Sequence, residues 1–196
     1  PNSIYRATIK YRGASSYSKF DKKQYRIKFY KNKKDSAKKV SLAGMGANSE
    51  WVLNGPYLDK TLIRNKLVYD LARELNGWAP DTRFVELFVD GEYQGVYLAV
   101  EPVTNGESRL RLAEFGLLSG ETAYIVSRDR SDTESEELKT WGKTAGYTNN
   151  SLYIGYPSKN KITEKQKAYI QKDISEFEQV LYGTVSYTHL RAHETG

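Results

Sequence analysis

The chain contains no cysteine in 196 residues. That removes disulfides, thiol catalysis and thiolate metal sites, while leaving the cellular compartment open. Histidine is almost as scarce: the two present, His189 and His193, both stand near the C-terminus. No apolar run approaches the roughly 20 residues that a membrane helix needs, so no span is expected. Residues Pro1 to Tyr5 lack a charged n-region, an apolar h-region and an initiating Met, so the chain is expected to begin inside a longer protein. What remains is 39% hydrophobic and 28% charged, the balance of one folded domain with a core of its own.

The final residues read differently from the rest. Val185 to Thr195 resembles the translation of a transposase sequencing adapter, and Thr184 fits the same frame. Residues 184–196 are therefore expected to be a non-native tail, and residues 1–183 a partial domain. The His189–His193 spacing would suit a metal pair on a helix, but it falls inside this tail. Without the tail the chain has neither His nor Cys. Its chemistry must then rest on carboxylates, Lys, Arg, hydroxyls and backbone groups.

Charge is unevenly spread. The net charge is +6, yet residues 1–40 carry thirteen Lys or Arg against two Asp, a net of +11, which leaves −5 on the rest. A basic N-terminal third suits an anionic partner or forms a solvated face. Nucleic acid is the less expected anion, because no nucleic-acid motif accompanies the charge.

Periodicity supplies the element order. Tyr5, Ala7, Ile9 and Tyr11 alternate with Arg6, Thr8, Lys10 and Arg12, a strand with one apolar and one cationic face. After the loop Gly13 to Ser18, Tyr25, Ile27 and Phe29 alternate with Gln24, Arg26 and Lys28 in the same way. A short buried strand is expected at Trp51-Val52-Leu53. Asp59 is placed to cap a helix over Lys60 to Leu75, with Ile63, Leu67, Leu71 and Leu75 as its apolar stripe and Asn76-Gly77 as its stop. Asp90-Gly91 joins strands 83–89 and 93–100 as a two-residue hairpin turn. The more uniformly apolar second strand reads as central. A short helix is expected within 104–120. Polar residues 128–150 read as a mobile loop holding the acidic run Asp132 to Glu137. Thr163-Glu164-Lys165-Gln166 is a capping box that opens a helix carrying Ile170, Ile174, Phe177 and Leu181. The sixteen tyrosines invite a carbohydrate-binding reading, but Tyr5, Tyr11 and Tyr25 are expected to pack on the core face.

Three places can carry chemistry. Arg12-Gly13-Ala14-Ser15-Ser16 lies between two basic strands. It reads either as a plain hairpin loop or as a phosphate cover with Lys22, Lys23, Arg26 and Lys28 as countercharge. Asp59 and Arg64 are either a cap with a surface cation or a pair at a nucleotide cleft. Glu101-Pro102 ends an apolar strand as a structural turn or as a connector between lobes.

These segments in this order resemble the CotH kinase family, named for a spore-coat protein. The matching stretches are Ile9 to Ser16, Lys22 to Phe29, Trp51 to Leu53, Asp59 to Leu67 and Glu86 to Glu101. Residues 157–182 are similar to the family's next helical segment. Ala14 departs from the family's usual Asn. The resemblance implies an α+β fold: a protein-kinase-like N-lobe of antiparallel sheet plus helix, a hinge near Glu101 to Val103, and the start of a helical C-lobe. It implies ATP with Mg or Mn as cofactors, and nucleotide and Ser-containing proteins as partners. By the same likeness, Lys23 or Lys22 and Arg26 would contact phosphates, and Gly13, Ser15 and Ser16 would cover them. Arg64 would organise the cleft and Glu101 would mark the hinge. The family's catalytic and metal-holding carboxylates belong to later segments, so this chain alone is expected to be inactive. The spore coat or cell surface is the compartment implied. The alternative is a non-catalytic coat or surface module whose basic face binds acidic partners.

Overall fold

A computed structural model describes residues 3–31, 36–116, 118–129, 135–149 and 151–182. The expected tail, with both histidines, lies outside these residues, as do Asp132 to Glu134 of the acidic run. The fold is α+β with antiparallel sheets and a few helices. It divides into two compact units, Pro1–Arg111 and Leu112–Gly196.

The first unit is built on a five-stranded antiparallel sheet in the order β1-β2-β3-β5-β4. Its strands are β1 Arg6–Arg12, β2 Gln24–Tyr30, β3 Glu50–Asn54, β4 Thr82–Val89 and β5 Glu92–Val100. Alternation decides what each face carries. Tyr25 pairs with Leu53 and Ile27 with Trp51. With Phe29, Tyr97 and Ala99 they form one apolar face, covered by Val40, Leu42 and Met45 from the segment between β2 and β3. Arg26 pairs with Val52 and Lys28 with Glu50 on the opposite face. The expected cationic face is therefore present. Burial fades toward the edge: every residue of β1 is exposed. Tyr5 and Tyr11 are 40% and 59% exposed, so they lie on the apolar face but outside the core expected for them. As an edge strand, β1 has no neighbour beyond it to cover them.

The hairpin joining β4 and β5 turns at Asp90 (φ 51°) and Gly91 (φ 84°), the left-handed pair that a type I′ turn requires. β5 lies between β3 and β4, and its last four residues are buried. It is central, as its composition implies.

Helix α2 spans Arg64–Asn76, starting four residues later than the Lys60 expected after an Asp59 cap; its N-cap is Ile63. The cause is Asp59. Its carboxylate takes the Thr61 N–H and hydroxyl and then the Arg64 N–H, at 3.1, 2.6 and 2.9 Å. Residues 59–63 are thus held as a turn, with Leu62 at φ 64°. Gly77 at φ 71° ends the helix. The Thr61 hydrogen bond, aided by the Arg64 N–H and charge, holds the Asp59 carboxyl below the usual carboxylate range. A depressed folded pKa stabilises above the unfolded value, about 3.9, and that contribution is lost as pH falls through the folded pKa. Far-UV helix signal should therefore hold from neutral pH to about 4 and fall below it. An Asp59→Asn variant should lack the step attributable to this group. An identical acid profile in the variant would remove the capping account.

The second unit holds a three-stranded antiparallel sheet in the order β6-β8-β7: β6 Ile125–Asp129, β7 Glu136–Leu138 and β8 Ser151–Tyr156. Helices α3 Trp141–Thr144 and α4 Glu164–Tyr182 complete it. Leu138, Ile154 and Ile170 form its core, with Ile174 packed against them. Two expectations fail here. Residues 136–144 are strand and helix rather than loop. Glu136 and Glu137 are held by Lys167 and Lys143, which lets an acidic segment pair as a strand. No helix forms among the described residues of 104–120. The α4 capping box is present: Gln166 N–H donates to Thr163 Oγ1 and Thr163 N–H to Gln166 Oε1, both at 3.2 Å.

Candidate functional site

The turn after β1 is organised by Gly13. Its φ is +88°, and a Cβ there would fall 2.1 Å from Ser16 Oγ, so any other residue would be strained and would displace the Ser16 hydroxyl. Beyond it, Ser15 opens a short helix, α1 Ser15–Lys19, where a plain loop was expected. Lys23 sits beneath that helix. Its ammonium donates to the Tyr17 and Phe20 carbonyls at 2.7 and 2.8 Å and lies 5.2 Å over the Tyr17 ring. A cation at a helix C-terminus satisfies carbonyls that lack intrahelical partners. Lys23 is thus engaged in holding α1 against the sheet.

Lys22 is differently placed. Its ammonium lies 4.5 Å over the ring of Tyr97, on the apolar face. Two glycines make room for it. A Cβ at Gly55 would meet Lys22 Cγ at 3.0 Å, and one at Gly95 would meet its Nζ at 3.0 Å. Burial pushes the Lys22 amine below its ordinary value, and no neighbouring carboxylate offsets that. Burial also pushes the Tyr97 phenol up to about 12, helped by Tyr25. Lys22 is therefore a partly desolvated cation held by aromatic packing, with no ion pair to a carboxylate among the described residues.

The remaining expected residues stand elsewhere. Arg26 is on the opposite sheet face from Lys22, ion-paired to Glu50, which also draws Lys28 to 3.5 Å. Arg12 donates to Gln24 across the strand pair at 3.5 Å. Arg64, 78% exposed, leans on Asp59 at 3.5 Å. Glu101 is 5% exposed. One of its oxygens accepts from Arg109 at 2.6 Å and the other from the Asp81 N–H at 2.9 Å. The structure thus groups Gly13, Ser15, Ser16 and Lys23 around α1, with Lys22 on the following turn. Arg26 lies on the opposite sheet face, and Arg64 and Glu101 are engaged by Asp59 and by Arg109.

Arg109 escaped sequence reasoning. It is fully buried as a side chain and stacks 4.5 Å over Trp51. It also donates to the Gly46 and Glu50 carbonyls at 3.3 and 3.4 Å. Nothing in the sequence near Arg109 marks it. Gly95 did carry a signal, since an isolated glycine in an apolar strand suggests a close approach. It adopts φ +92° beside the register shift at Leu87/Phe88.

No group of three or more His, Asp or Glu among the described residues could hold a metal ion. No helix among them is long and apolar enough to cross a membrane.

Comparison with known proteins agrees with the residue pattern. The family of CotH kinase proteins matches residues 9–191, a span that runs past Thr184. The inner spore coat protein H of Bacillus subtilis (strain 168) is 34% identical over 163 residues, covering 83% of this chain and 39% of that protein. The chain thus spans well under half the length of this relative.

Proposed function

This chain belongs to the CotH family, and from that premise we propose that it is the nucleotide-binding N-terminal part of a CotH-type phosphotransferase. The parent protein transfers phosphate from ATP to Ser-containing proteins of the spore coat or cell surface. This chain alone is inactive, since the metal-holding and catalytic carboxylates lie in later segments. Lys22 carries the reading: a partly desolvated ammonium with no carboxylate partner among the described residues is placed to bind a phosphate oxygen. The element order supports it as well. A glycine-containing turn between two strands, a third strand, a helix and a hairpin are the parts of a protein-kinase N-lobe. One departure bears on the mechanism. Protein kinases take their phosphate-binding lysine from the third strand, whereas β3 reads Glu-Trp-Val-Leu-Asn. Lys22, one turn before β2, would replace it.

The residues near Lys22 have limited parts to play. Gly13 keeps the turn close to the strands, and Ser15 and Ser16 offer hydroxyls. Lys23 positions α1 rather than the ligand. ATP, when bound, supplies the transferable phosphoryl group.

Lys22→Met tests the assignment. Methionine keeps the apolar stem and removes the charge. The variant should melt at or above the wild-type temperature, because a desolvation cost disappears. Its affinity for ATP, followed by calorimetry, should fall about 10-fold or more, the equivalent of a charge-assisted hydrogen bond of about 1.5–3 kcal/mol. Equal affinity in wild type and variant would sink the role of Lys22. The second reading, a non-catalytic module binding acidic partners, is favoured by β1, which exposes Lys10 and Arg12 on its cationic face. It predicts that polyglutamate binds and that ATP does not.

A further inference from the structure

Helix α2 faces the sheet with its less apolar side. Lys66, Tyr69 and Ala72 are half-buried, and Tyr69 packs on Val52, Leu98 and Val100. The stripe that sequence periodicity assigns to the core points the other way. Ile63, Leu67, Leu71 and Leu75 are 52%, 63%, 52% and 75% exposed, and Val68 beside them is 64% exposed. From Ile63 at the N-cap to Leu75 the stripe advances twelve steps, about 18 Å along the helix axis. Single exposed leucines are ordinary; a continuous stripe along one helix marks an interaction surface. Phe84, on the sheet face that also carries α2, is 43% exposed and extends the apolar area.

We propose that this outward face of α2 is the docking surface for polypeptide of the full-length protein lying outside residues 1–196. The proposal rests on the reading of this chain as part of a longer CotH protein. Length favours that occupant. The aligned region is 39% of the spore coat relative, so a full-length protein of that size carries more chain outside the region than within it. A tethered segment also meets the stripe at an effective concentration near millimolar, far above that of a free partner or a second copy. The spacing of the exposed residues fits an amphipathic helix lying along α2, with its own apolar side chains set between Leu67 and Leu71.

The test compares the protein encoded by the native gene with the 196-residue chain, each with and without Leu67→Gln/Leu71→Gln. Glutamine is about as good a helix former as leucine, so α2 itself should persist. In the longer protein the double variant should melt about 5 °C lower or more. Its α2 amides should exchange at least about 10-fold faster than those of the wild-type long protein. In the 196-residue chain the same substitutions should leave the melting temperature unchanged, since the side chains there face water. Three results overturn the proposal. The first is indifference of the long protein to the substitutions. The second is unfolding of the 196-residue chain by them, which places the stripe inside this region. The third is a dimeric long protein that the substitutions dissociate, which makes the occupant a second copy. A native gene that encodes nothing beyond this region would remove the longer-protein reading instead, before any variant is compared.

Discussion

Arg109→Ala should lower the unfolding free energy of the first unit by about 3–5 kcal/mol. The loss would consume a large part of the about 5–15 kcal/mol typical of a domain. Arg109 and Glu101 are 0% and 5% exposed as side chains and 2.6 Å apart. Removing one partner leaves the other charge buried without an opposite. Burial itself pushes the Arg109 guanidinium down, partly offset by the charges of Glu101, Asp81 and Glu50. The pair is therefore costly to keep, but costlier to break. Trp51 gives the readout, because its ring lies beneath the guanidinium. Denaturant midpoints followed by its fluorescence should shift strongly in Arg109→Ala. They should recover in Arg109→Met/Glu101→Leu, where no charge is stranded. A single variant within about 1 kcal/mol of wild type would show that the pair is open to water.

The second large effect lies in the other unit. Glu178 is 3% exposed. One of its oxygens accepts the Gly142 N–H at 2.7 Å, and the other has no hydrogen-bond partner among the described residues. A Cβ at Gly142 would fall 2.8 Å from the Glu178 carboxyl carbon and 2.9 Å from both oxygens. Gly142→Ala should therefore destabilise, although alanine is the better helix former by about 1 kcal/mol. Against that gain stand a lost charge-assisted hydrogen bond, about 1.5–3 kcal/mol, and overpacking of about 1–3 kcal/mol. The net loss should be about 2 kcal/mol or more. Glu178→Gln should move stability the other way, because the amide oxygen still accepts the Gly142 N–H and no buried charge remains. Thermal melts of the two variants on either side of wild type would bear this out. Gly142→Ala melting with wild type would mean that the carboxylate is free to swing aside.

Local signals were read well from the sequence, and signals set by partners were not. Asp90-Gly91 and Thr163-Gln166 each act through residues within three positions, and both form as expected. Trp51 to Leu53 is a strand because its apolar run has few other uses. Asp59 is expected as the N-cap, but the N-cap is Ile63 and Asp59 instead reaches across the turn to the Arg64 N–H, so α2 begins four residues later than expected. Its apolar stripe is legible, but period alone does not say which face meets the sheet. Tyr69, an unremarkable residue in the pattern, is the one that packs. Glu136 and Glu137 looked like loop because their neutralising lysines are distant in sequence or on another element. Arg109 was invisible for the same reason: its partners come from residues 46, 50, 51 and 101. Of the candidate site, the Gly13 turn was legible. The separation of Lys22 from Arg26 was not, because Lys22 lies in the bend before β2, where the alternation that places Arg26 no longer holds.

The most direct test of the phosphotransferase reading is transfer of label from γ-labelled ATP to a Ser-containing protein such as dephosphorylated casein. The protein encoded by the native gene should label it, its Lys22→Met variant should label it at least about 10-fold more slowly, and residues 1–183 alone should not label it at all. Labelling by residues 1–183, or none by the longer protein, would contradict the account.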